Sequence, residues 1–345
     1  MLDKEYGIIR PRFVRLLATT LERRLGHLPE AFDDNLPSGW RNDDTLAISK
    51  AQMIQAWEIA AKALPAEPFG LYVAQMASAS LFGLLGYLAQ YSATVEEACL
   101  QVVHYNTVLK VDAGHWEIQR SPIELVIRYH VHLPGIRAWR HKVDFIIGSF
   151  VLICRAIAGR PHPDLRVDVG HAPVGDPAIY REILGPRVGF SASTPEIALD
   201  PITARRSLPG SRPGLLAILK DVADQQRRVE PKNWSDRVRR VLLGGIPDGI
   251  TTVTEVAPVL GVSARSLRRR LLEEDTSFRA LLDQSRFELA RRLLEDPALS
   301  TDQIANVLGF CTVTAFYRAF PRWAGTSLAD YRHELTAQGR VFESS

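Results

Sequence analysis

One pattern occurs twice in the last third of this 345-residue chain, and it restricts the fold more than any other feature. The first copy contains Val256, Ala257, Val259, Leu260 and Gly261, which return 48 positions later as Ile304, Ala305, Val307, Leu308 and Gly309. Each copy starts with the spacing of a capping box, Thr252 with Glu255 and Ser300 with Gln303. Each copy therefore predicts a short helix, a glycine turn and a second helix, and such a repeat rarely arises by chance.

The second helix of the first copy contains four arginines within six positions, Arg265, Arg268, Arg269 and Arg270. At about 100° per residue, Leu267 and Leu271 share the back of this helix. The first three arginines fall on the opposite face, and Arg270 falls to one side. A guanidinium group matches phosphate oxygens and the O6/N7 edge of guanine, so this face is a candidate DNA contact. The alternative for a single such face is an ordinary solvated helix surface.

The second helix of the second copy is predicted to have an aromatic back and a polar front. After the turn the offset between the copies becomes 49, so Phe316 corresponds to Leu267. The predicted back consists of Phe316, Ala319, Phe320 and Trp323, and the predicted front consists of Thr314, Tyr317, Arg318 and Arg322.

The segment between the copies, 278–295, has a helical period and predicts one long helix of about 27 Å. One turn of DNA measures about 34 Å. A rigid helix of this length could therefore hold the two front faces in successive major grooves on one side of the DNA.

Residues 252–332 resemble the paired helix-turn-helix domain of the AraC/XylS family of bacterial transcription regulators. The resemblance depends on Ala257, Leu260, Gly261, Ser263, Leu267, Arg269, Arg286, Ala290, Leu293, Leu294, Ile304, Ala305, Gly309, Phe310, Phe316, Arg318, Phe320, Gly325, Tyr331 and Arg332. It implies a sequence-specific regulator with a double-stranded DNA operator and RNA polymerase as partners. It also implies that Arg265, Arg268 and Arg269, and Thr314 and Arg318, occupy the base- and phosphate-contacting faces. We add Arg270 and Tyr317 to the predicted DNA-binding residues.

Three positions depart from the family pattern. Pro258 is expected to remove a hydrogen bond and kink the first helix. Cys311 stands where serine is usual, so Thr312 is expected to cap the following helix. Leu328 replaces a usual proline.

The first 200 residues predict an α+β domain that begins with helices and ends with a small sheet. Helices are expected over 10–25, 49–64, 70–77, 82–90, 94–109, 137–158 and 179–184, strands over 116–119, 123–131, 165–169, 188–190 and 196–199, and a loop over 27–44. Parts of this region resemble the arabinose-binding-like domain of one AraC subgroup. That resemblance implies a small-molecule effector and a homodimer, but it identifies no effector-binding residue.

The predicted organisation is thus an effector-sensing and dimerisation domain (1–200), a linker with a connecting helix (201–234), and an all-α DNA-binding domain (235–345). The two helix-turn-helix motifs span 252–273 and 300–323. Near the start of the third region, Arg237, Arg239 and Arg240 are either further phosphate contacts or a solvated helix face.

The composition fits a cytoplasmic protein without a metal or cofactor. The net charge is only +3, so the basic signal is a local patch and indicates a specific site. Cys99, Cys154 and Cys311 have no metal spacing, and charged residues at the N-terminus argue against a signal peptide. The longest apolar run, 145–154, is too short to span a bilayer.

Other candidate sites give weaker signals. His130 and His132 share a strand face, and His104 or His141 would be a third metal ligand, but an exposed or hydrogen-bonded strand pair is favoured because no Cys/Asp/Glu cluster completes a site. The segment 189–193 partly matches a nucleophile elbow but lacks its final glycine. Five aromatic residues are candidates for a pocket or for the core: Tyr87, Tyr105, Trp116, Trp139 and Phe145. We therefore predict no enzymatic activity, and an N-terminal enzyme or a purely structural DNA-bridging protein stay as alternatives.

Overall fold

The computed structural model describes residues 11–342, with gaps at 44–45, 47, 110–113, 131–137, 191–193, 229–232, 248 and 297–298. The chain divides into two compact units, Met1–Pro213 and Gly214–Ser345, named here the N-terminal unit and the C-terminal unit. The described part of the first unit combines helices with a five-stranded sheet, and that of the second is helical. The predicted fold class, an α+β half followed by an all-α half, is confirmed.

The N-terminal unit begins with a helical layer. Its elements are α1 (Pro11–Leu25), α2 (Glu30–Asp34), α3 (Lys50–Ala63), α4 (Phe69–Gln75), a short 3-10 helix (Ala79–Phe82), α5 (Leu84–Gln90) and α6 (Val95–Leu109). The predicted loop over 27–44 is wrong where α2 forms. Phe32 on α2 is fully buried against Trp40, whose indole N–H donates to Asp33 at 2.9 Å. A five-residue helix with a single buried side chain has no periodicity that a sequence could display.

A mixed sheet follows the helical layer. Its strands are β1 (His115–Arg120), β2 (Leu125–His130), β3 (Leu165–Asp168), β4 (Val188–Gly189) and β5 (Glu196–Leu199), in the order β1-β2-β5-β3-β4. Among the described strands, β3 and β4 pair in parallel and the other neighbours pair antiparallel. The register places Ile127, Ile197 and Val167 side by side in one fully buried row. That row forms part of the core between the sheet and the helices.

Helix α7 (Trp139–Ala158) joins the two cores of the N-terminal unit. Ile147 and Val151 belong to the core of the sheet, whereas Phe145 belongs to the core of the helical layer. Because the helix is buried on both sides, the long apolar run 145–154 is explained by core packing. Two short helices complete the unit, α8 (Pro177–Leu184) and α9 (Pro201–Ala204).

The C-terminal unit consists of eight helices in its described residues. They are α10 (Pro213–Arg228), α11 (Trp234–Gly245), α12 (Val253–Val259), α13 (Ala264–Leu272), α14 (Phe278–Leu294), α15 (Thr301–Val307), α16 (Val313–Ala324) and α17 (Leu328–Phe342). Helices α11, α12 and α13 pack together, as do α14, α15 and α16, and α14 also packs against α11. The predicted long helix between the two copies is α14. The predicted connecting helix is α10, whose Asp221 forms an ion pair with Arg292 of α14.

Candidate nucleic-acid interface

The two copies of the sequence repeat begin with the same cap. In the first copy, the Thr252 hydroxyl accepts the Glu255 N–H, and the Glu255 carboxylate accepts the Thr252 N–H at 2.8 Å. In the second copy, Ser300 and Gln303 exchange the same pair of hydrogen bonds. Both predicted capping boxes are confirmed, and each fixes the first residue of its helix.

The two turns also have the same backbone. Gly261 and Gly309 both have φ of 70°, the left-handed conformation that favours glycine. The N–H of Val262 donates to Ala257 O at 3.1 Å, and the equivalent bond joins Phe310 to Ala305 at 2.9 Å. These bonds define a Schellman motif at the end of both α12 and α15. The result is two helix–turn–helix arrangements, α12–α13 and α15–α16, joined by α14.

Pro258 perturbs α12 less than the sequence suggests. It lies one residue before the end of the helix, and its side chain faces solvent. The missing N–H removes the i+4 donor of only one carbonyl, that of Thr254. The Schellman bonds of the following turn form in spite of it.

The second helix of the first pair, α13, has the predicted apolar back and cationic front. Leu267 and Leu271 are fully buried. Arg265, Arg268 and Arg269 are exposed. Arg265 and Arg268 form no ion pair with any residue that the structure describes, and Arg269 approaches Glu273 at 3.7 Å in a highly exposed pair. Such an exposed pair contributes little to stability, so all three guanidinium groups can accept a new partner.

Arg270 has a different environment from the other three arginines. Its guanidinium lies 4.2 Å from the ring centre of Trp234, and Arg237 lies 4.8 Å from the same ring. The Nε atom of Arg270 is buried and has no hydrogen-bond partner. Arg270 thus links α13 to the first residue of α11, and the indole is stacked against two cations.

Glu274 provides a second link between these helices. Its carboxylate accepts the backbone N–H groups of Trp234 at 2.7 Å and Ser235 at 2.8 Å, which are otherwise unsatisfied at the start of α11. Desolvation opposes ionisation of this carboxylate, but the hydrogen bonds from Ser235 and Trp234 outweigh it and lower the pKa of Glu274. These bonds and the Trp234 stack hold α13 in a defined orientation.

The second helix of the second pair, α16, starts as predicted. Thr312 is its N-cap, and the Thr312 hydroxyl accepts the Ala315 N–H at 3.2 Å. Cys311 precedes the cap and is exposed. The expected replacement of a serine cap by Thr312 is therefore confirmed.

The faces of α16 also follow the prediction. Phe316 and Phe320 are fully buried, and Ala319 is nearly so. The rings of Phe316 and Phe320 lie 6.3 and 6.4 Å from that of Trp323, and Phe310 completes this cluster. The front side chains are all exposed: Thr314, Tyr317, Arg318 and Arg322.

Pro321 lies inside α16 on the same side as this front face. Its missing N–H removes the i+4 donor of the Tyr317 carbonyl, yet the helix continues to Ala324. The amphipathic period of 313–324 predicts an uninterrupted helix, so Pro321 is not singled out by the sequence pattern. The residue is visible in the sequence and could have predicted the missing hydrogen bond.

Arg286 of α14 contacts the turn between the two helices of the second pair. Its Nε donates to the Leu308 carbonyl at 3.2 Å, and its guanidinium stacks 4.3 Å from the centre of the Phe310 ring. Desolvation by burial lowers the pKa of Arg286. A cation at the C-terminus of α15 also meets the negative end of the helix dipole. The long helix therefore contacts the second turn directly.

The competing candidate sites are not assembled in the described residues. His130 pairs with Glu117 at 3.0 Å across the hairpin, and His132 and residues 191–193 lie outside the described residues. The part of the chain that the structure describes contains no group of three residues able to hold a metal ion. The five aromatic residues form no single pocket, because Trp116 lies in the sheet core and Phe145 in the helical core. Across the described ranges, no helix is long and apolar enough to cross a membrane.

Two family models match the chain. The first, described as the arabinose-binding domain of AraC transcription regulator (N-terminal), matches residues 40–208. The second, described as a helix-turn-helix domain, matches residues 256–334, which include the second helix pair and the first pair from Val256 onward. The predicted resemblance is confirmed in both halves.

Named relatives agree with these matches. The chain is 26% identical to the HTH-type transcriptional regulator VirS of Mycobacterium tuberculosis over 327 residues, covering 93% of this chain and 96% of VirS. It is 28% identical to the ornithine utilization regulator of Pseudomonas aeruginosa, covering 79% and 80% of the two chains. A further regulator of M. tuberculosis, Rv1395, is 45% identical over 80 residues, 23% of either chain.

Proposed function

Because this chain belongs to the AraC family of transcription regulators, we propose that it reads two adjacent major-groove segments of a DNA operator under the control of a small-molecule effector. DNA binding and transcription regulation follow from the family, which consists of regulators and not of enzymes. The two-segment reading, the contact residues and the effector are our proposal.

The observation that carries this proposal is the duplicated helix pair. The turns of the two pairs share their caps, their left-handed glycine and their Schellman bonds. In both pairs the second helix buries its back and exposes its front. Helix pairs of this kind place the second helix in the major groove, so α13 and α16 are our two proposed recognition helices.

The length of α14 supports simultaneous contact by both helices. Its 17 residues correspond to about 26 Å at the rise of an α-helix. It packs against α11, which in turn contacts α12 and α13 of the first pair, and directly against α15 and α16 of the second. A rigid connection of this length suits two grooves about one helical turn, or about 34 Å, apart.

Six side chains are proposed to contact the operator. Arg265, Arg268 and Arg269 would do so from α13, and Thr314, Tyr317 and Arg318 from α16. For Arg270 we now propose a positioning role, because its guanidinium is stacked on Trp234 and is only half exposed. Its effect on DNA would be to orient α13 and the three arginines in front of it.

The N-terminal unit is proposed to bind the effector and to form the homodimer contact. The match to an arabinose-binding domain supports a ligand-binding role without making arabinose the ligand. A relative named as the regulator of ornithine utilization also supports control by a small molecule. Ligand binding would shift the population of the DNA-competent state. RNA polymerase in the cytoplasm would be the partner at the promoter.

Capture of genomic DNA by the full-length protein tests this proposal. Fragments of the source genome are bound at near-physiological salt, with and without a small-molecule extract of the same cells. We expect a few fragments to be enriched, each with two short motifs about one helical turn apart. A variant with Arg265, Arg268 and Arg269 all replaced by Ala should lose this enrichment, whereas Arg181→Ala, an exposed arginine of the N-terminal unit, should keep it. Uniform recovery of all fragments by the wild type under both conditions would refute specific reading.

A further inference from the structure

The two proposed recognition helices present different chemistry at equivalent positions. The repeat offset after the turn is 49 residues, so the front faces can be compared position by position. The equivalent pairs are Arg265 with Thr314, Arg268 with Tyr317, and Arg269 with Arg318. One arginine is shared, and the other two positions change from a cation to a neutral side chain.

The front of α13 is suited to guanine and phosphate. Its three exposed guanidinium groups are hydrogen-bond donors with no acceptor. In the major groove, guanine presents two acceptors, O6 and N7, which one arginine can bind together. Adenine and thymine offer no such pair of acceptors.

The front of α16 is suited to thymine. Tyr317 is 49% exposed. Among the described residues, few large hydrophobic side chains are exposed to solvent in this way. Thr314 adds a methyl group, and Pro321, four residues after Tyr317, adds an exposed ring on the same side. Apolar side chains, including the threonine methyl and aromatic rings, contact the C5 methyl of thymine. Arg318 is the one cation left at these three positions, and Arg322, further along the same face, lies 3.8 Å from the Asp283 carboxylate of α14.

We infer that the operator of this protein is chemically asymmetric. The segment under α13 is recognised through guanines, and the segment under α16 is recognised through thymine methyl groups with a single guanine. This inference rests on the proposed function, since it assumes that both front faces enter the major groove. It assigns Thr314 and Tyr317 as specificity-determining residues for thymine.

Base analogues test this asymmetry with the full-length protein. A preferred duplex is first selected from a randomised 40-base-pair library. Thymine is then replaced by uracil, which lacks the methyl group, in one segment at a time. We expect about a fourfold loss of affinity for each methyl contact removed under α16 and little change under α13. Replacing guanine by 7-deazaguanine, which lacks N7, should cause about a tenfold loss under α13.

Matched variants assign these effects to side chains. Tyr317→Phe keeps the ring and should keep the uracil sensitivity, whereas Tyr317→Ala should reduce it in that segment only, since the Thr314 methyl remains. Thr314→Val keeps a methyl group at this position and Thr314→Ser removes it. Both substituted positions are on the surface, so all four variants should fold as the wild type does, which circular dichroism checks.

The outcomes separate this inference from the proposed function. A selected site whose two segments respond alike to uracil and to 7-deazaguanine would overturn the asymmetry and leave two-segment reading intact. The same holds if uracil sensitivity survives Tyr317→Ala together with Thr314→Ser. If the library yields no preferred sequence at all, the proposed function fails and the asymmetry fails with it.

Discussion

The two helix pairs of the C-terminal unit have the same cap and turn geometry but differ in the side chains that stabilise them. In both, a capping box starts the first helix and a left-handed glycine ends it. The first pair is held by aliphatic side chains such as Leu267 and by the stack on Trp234. The second is held by an aromatic cluster around Phe316 and by Arg286. A turn is a local structure that a few residues specify, whereas its packing partners come from distant positions and are free to diverge.

The largest expected effect is in the aromatic core of the second pair. Phe316→Ala should destabilise the C-terminal unit by about 3–5 kcal/mol, and its repeat equivalent Leu267→Ala by about 2–5 kcal/mol. Both residues are fully buried, so the comparison reflects side-chain size and packing. Urea unfolding of the full chain, followed by a probe in each unit, measures this difference. Phe316→Leu is the control and should cost less than Ala. A greater loss of stability in Leu267→Ala than in Phe316→Ala would contradict our ranking of the first and second helix pairs.

A second comparison concerns the two turn glycines. Both have φ of 70°, so alanine is expected to cost about 1–2 kcal/mol at each. A Cβ on Gly309 would lie 2.7 Å from the backbone oxygen of Ile246, whereas one on Gly261 meets no atom within 4 Å. Gly309→Ala should therefore lower the melting temperature more than Gly261→Ala. Gly261→Asn should be milder than Gly261→Ala, since asparagine tolerates this backbone. Equal shifts for the two alanines would argue against the contact with Ile246.

Arg270 provides a smaller and more specific test. Arg270→Ala should cost about 1 kcal/mol of stability through loss of the stack on Trp234. If Arg270 does not contact phosphate, the slope of the logarithm of the DNA-binding constant against the logarithm of salt concentration should be the same in Arg270→Ala as in the wild type. Arg268→Ala, by contrast, should reduce that slope by about one if Arg268 contacts a phosphate. A slope that flattens equally in both variants would restore the predicted phosphate contact of Arg270.

The smallest expected effect is a pH dependence confined to the first pair. Glu274 has a pKa lowered from its ordinary value of 4.5, so it stabilises the fold above that pH. This stability is lost as the pH falls through the pKa of the folded state. The melting temperature of Glu274→Gln should therefore fall less steeply below pH 4.5 than that of the wild type. Glu273→Gln, one residue earlier and exposed, is the control. Parallel curves for Glu274→Gln and the wild type would exclude this role.

The features that the sequence predicts well are those that a few neighbouring residues determine. The caps at Thr252 and Ser300, the turns at Gly261 and Gly309, and the faces of α13 and α16 belong to this class. The stack of Arg270 on Trp234 could not be predicted, because 36 positions separate the two residues and neither occupies a regular pattern. The short helix α2 was not predicted for another reason. It is stabilised by burial of Phe32 against Trp40, and it is too short to show a helical period. Arg270 shows the consequence: the helical period places it to one side of the other three arginines, yet without the contact to Trp234 it is still predicted to bind DNA.

The central claim is that α13 and α16 read two separate segments of one operator. Hydroxyl-radical footprinting of the full-length protein on a captured fragment tests it most directly, with Arg269→Ala and Arg318→Ala beside the wild type. Each substitution is expected to cost about 1–3 kcal/mol of binding free energy if the arginine reads a base. We predict two protected patches about one helical turn apart on one face of the DNA. Arg269→Ala should weaken one patch first and Arg318→Ala the other. A single patch that both substitutions weaken equally would contradict the claim.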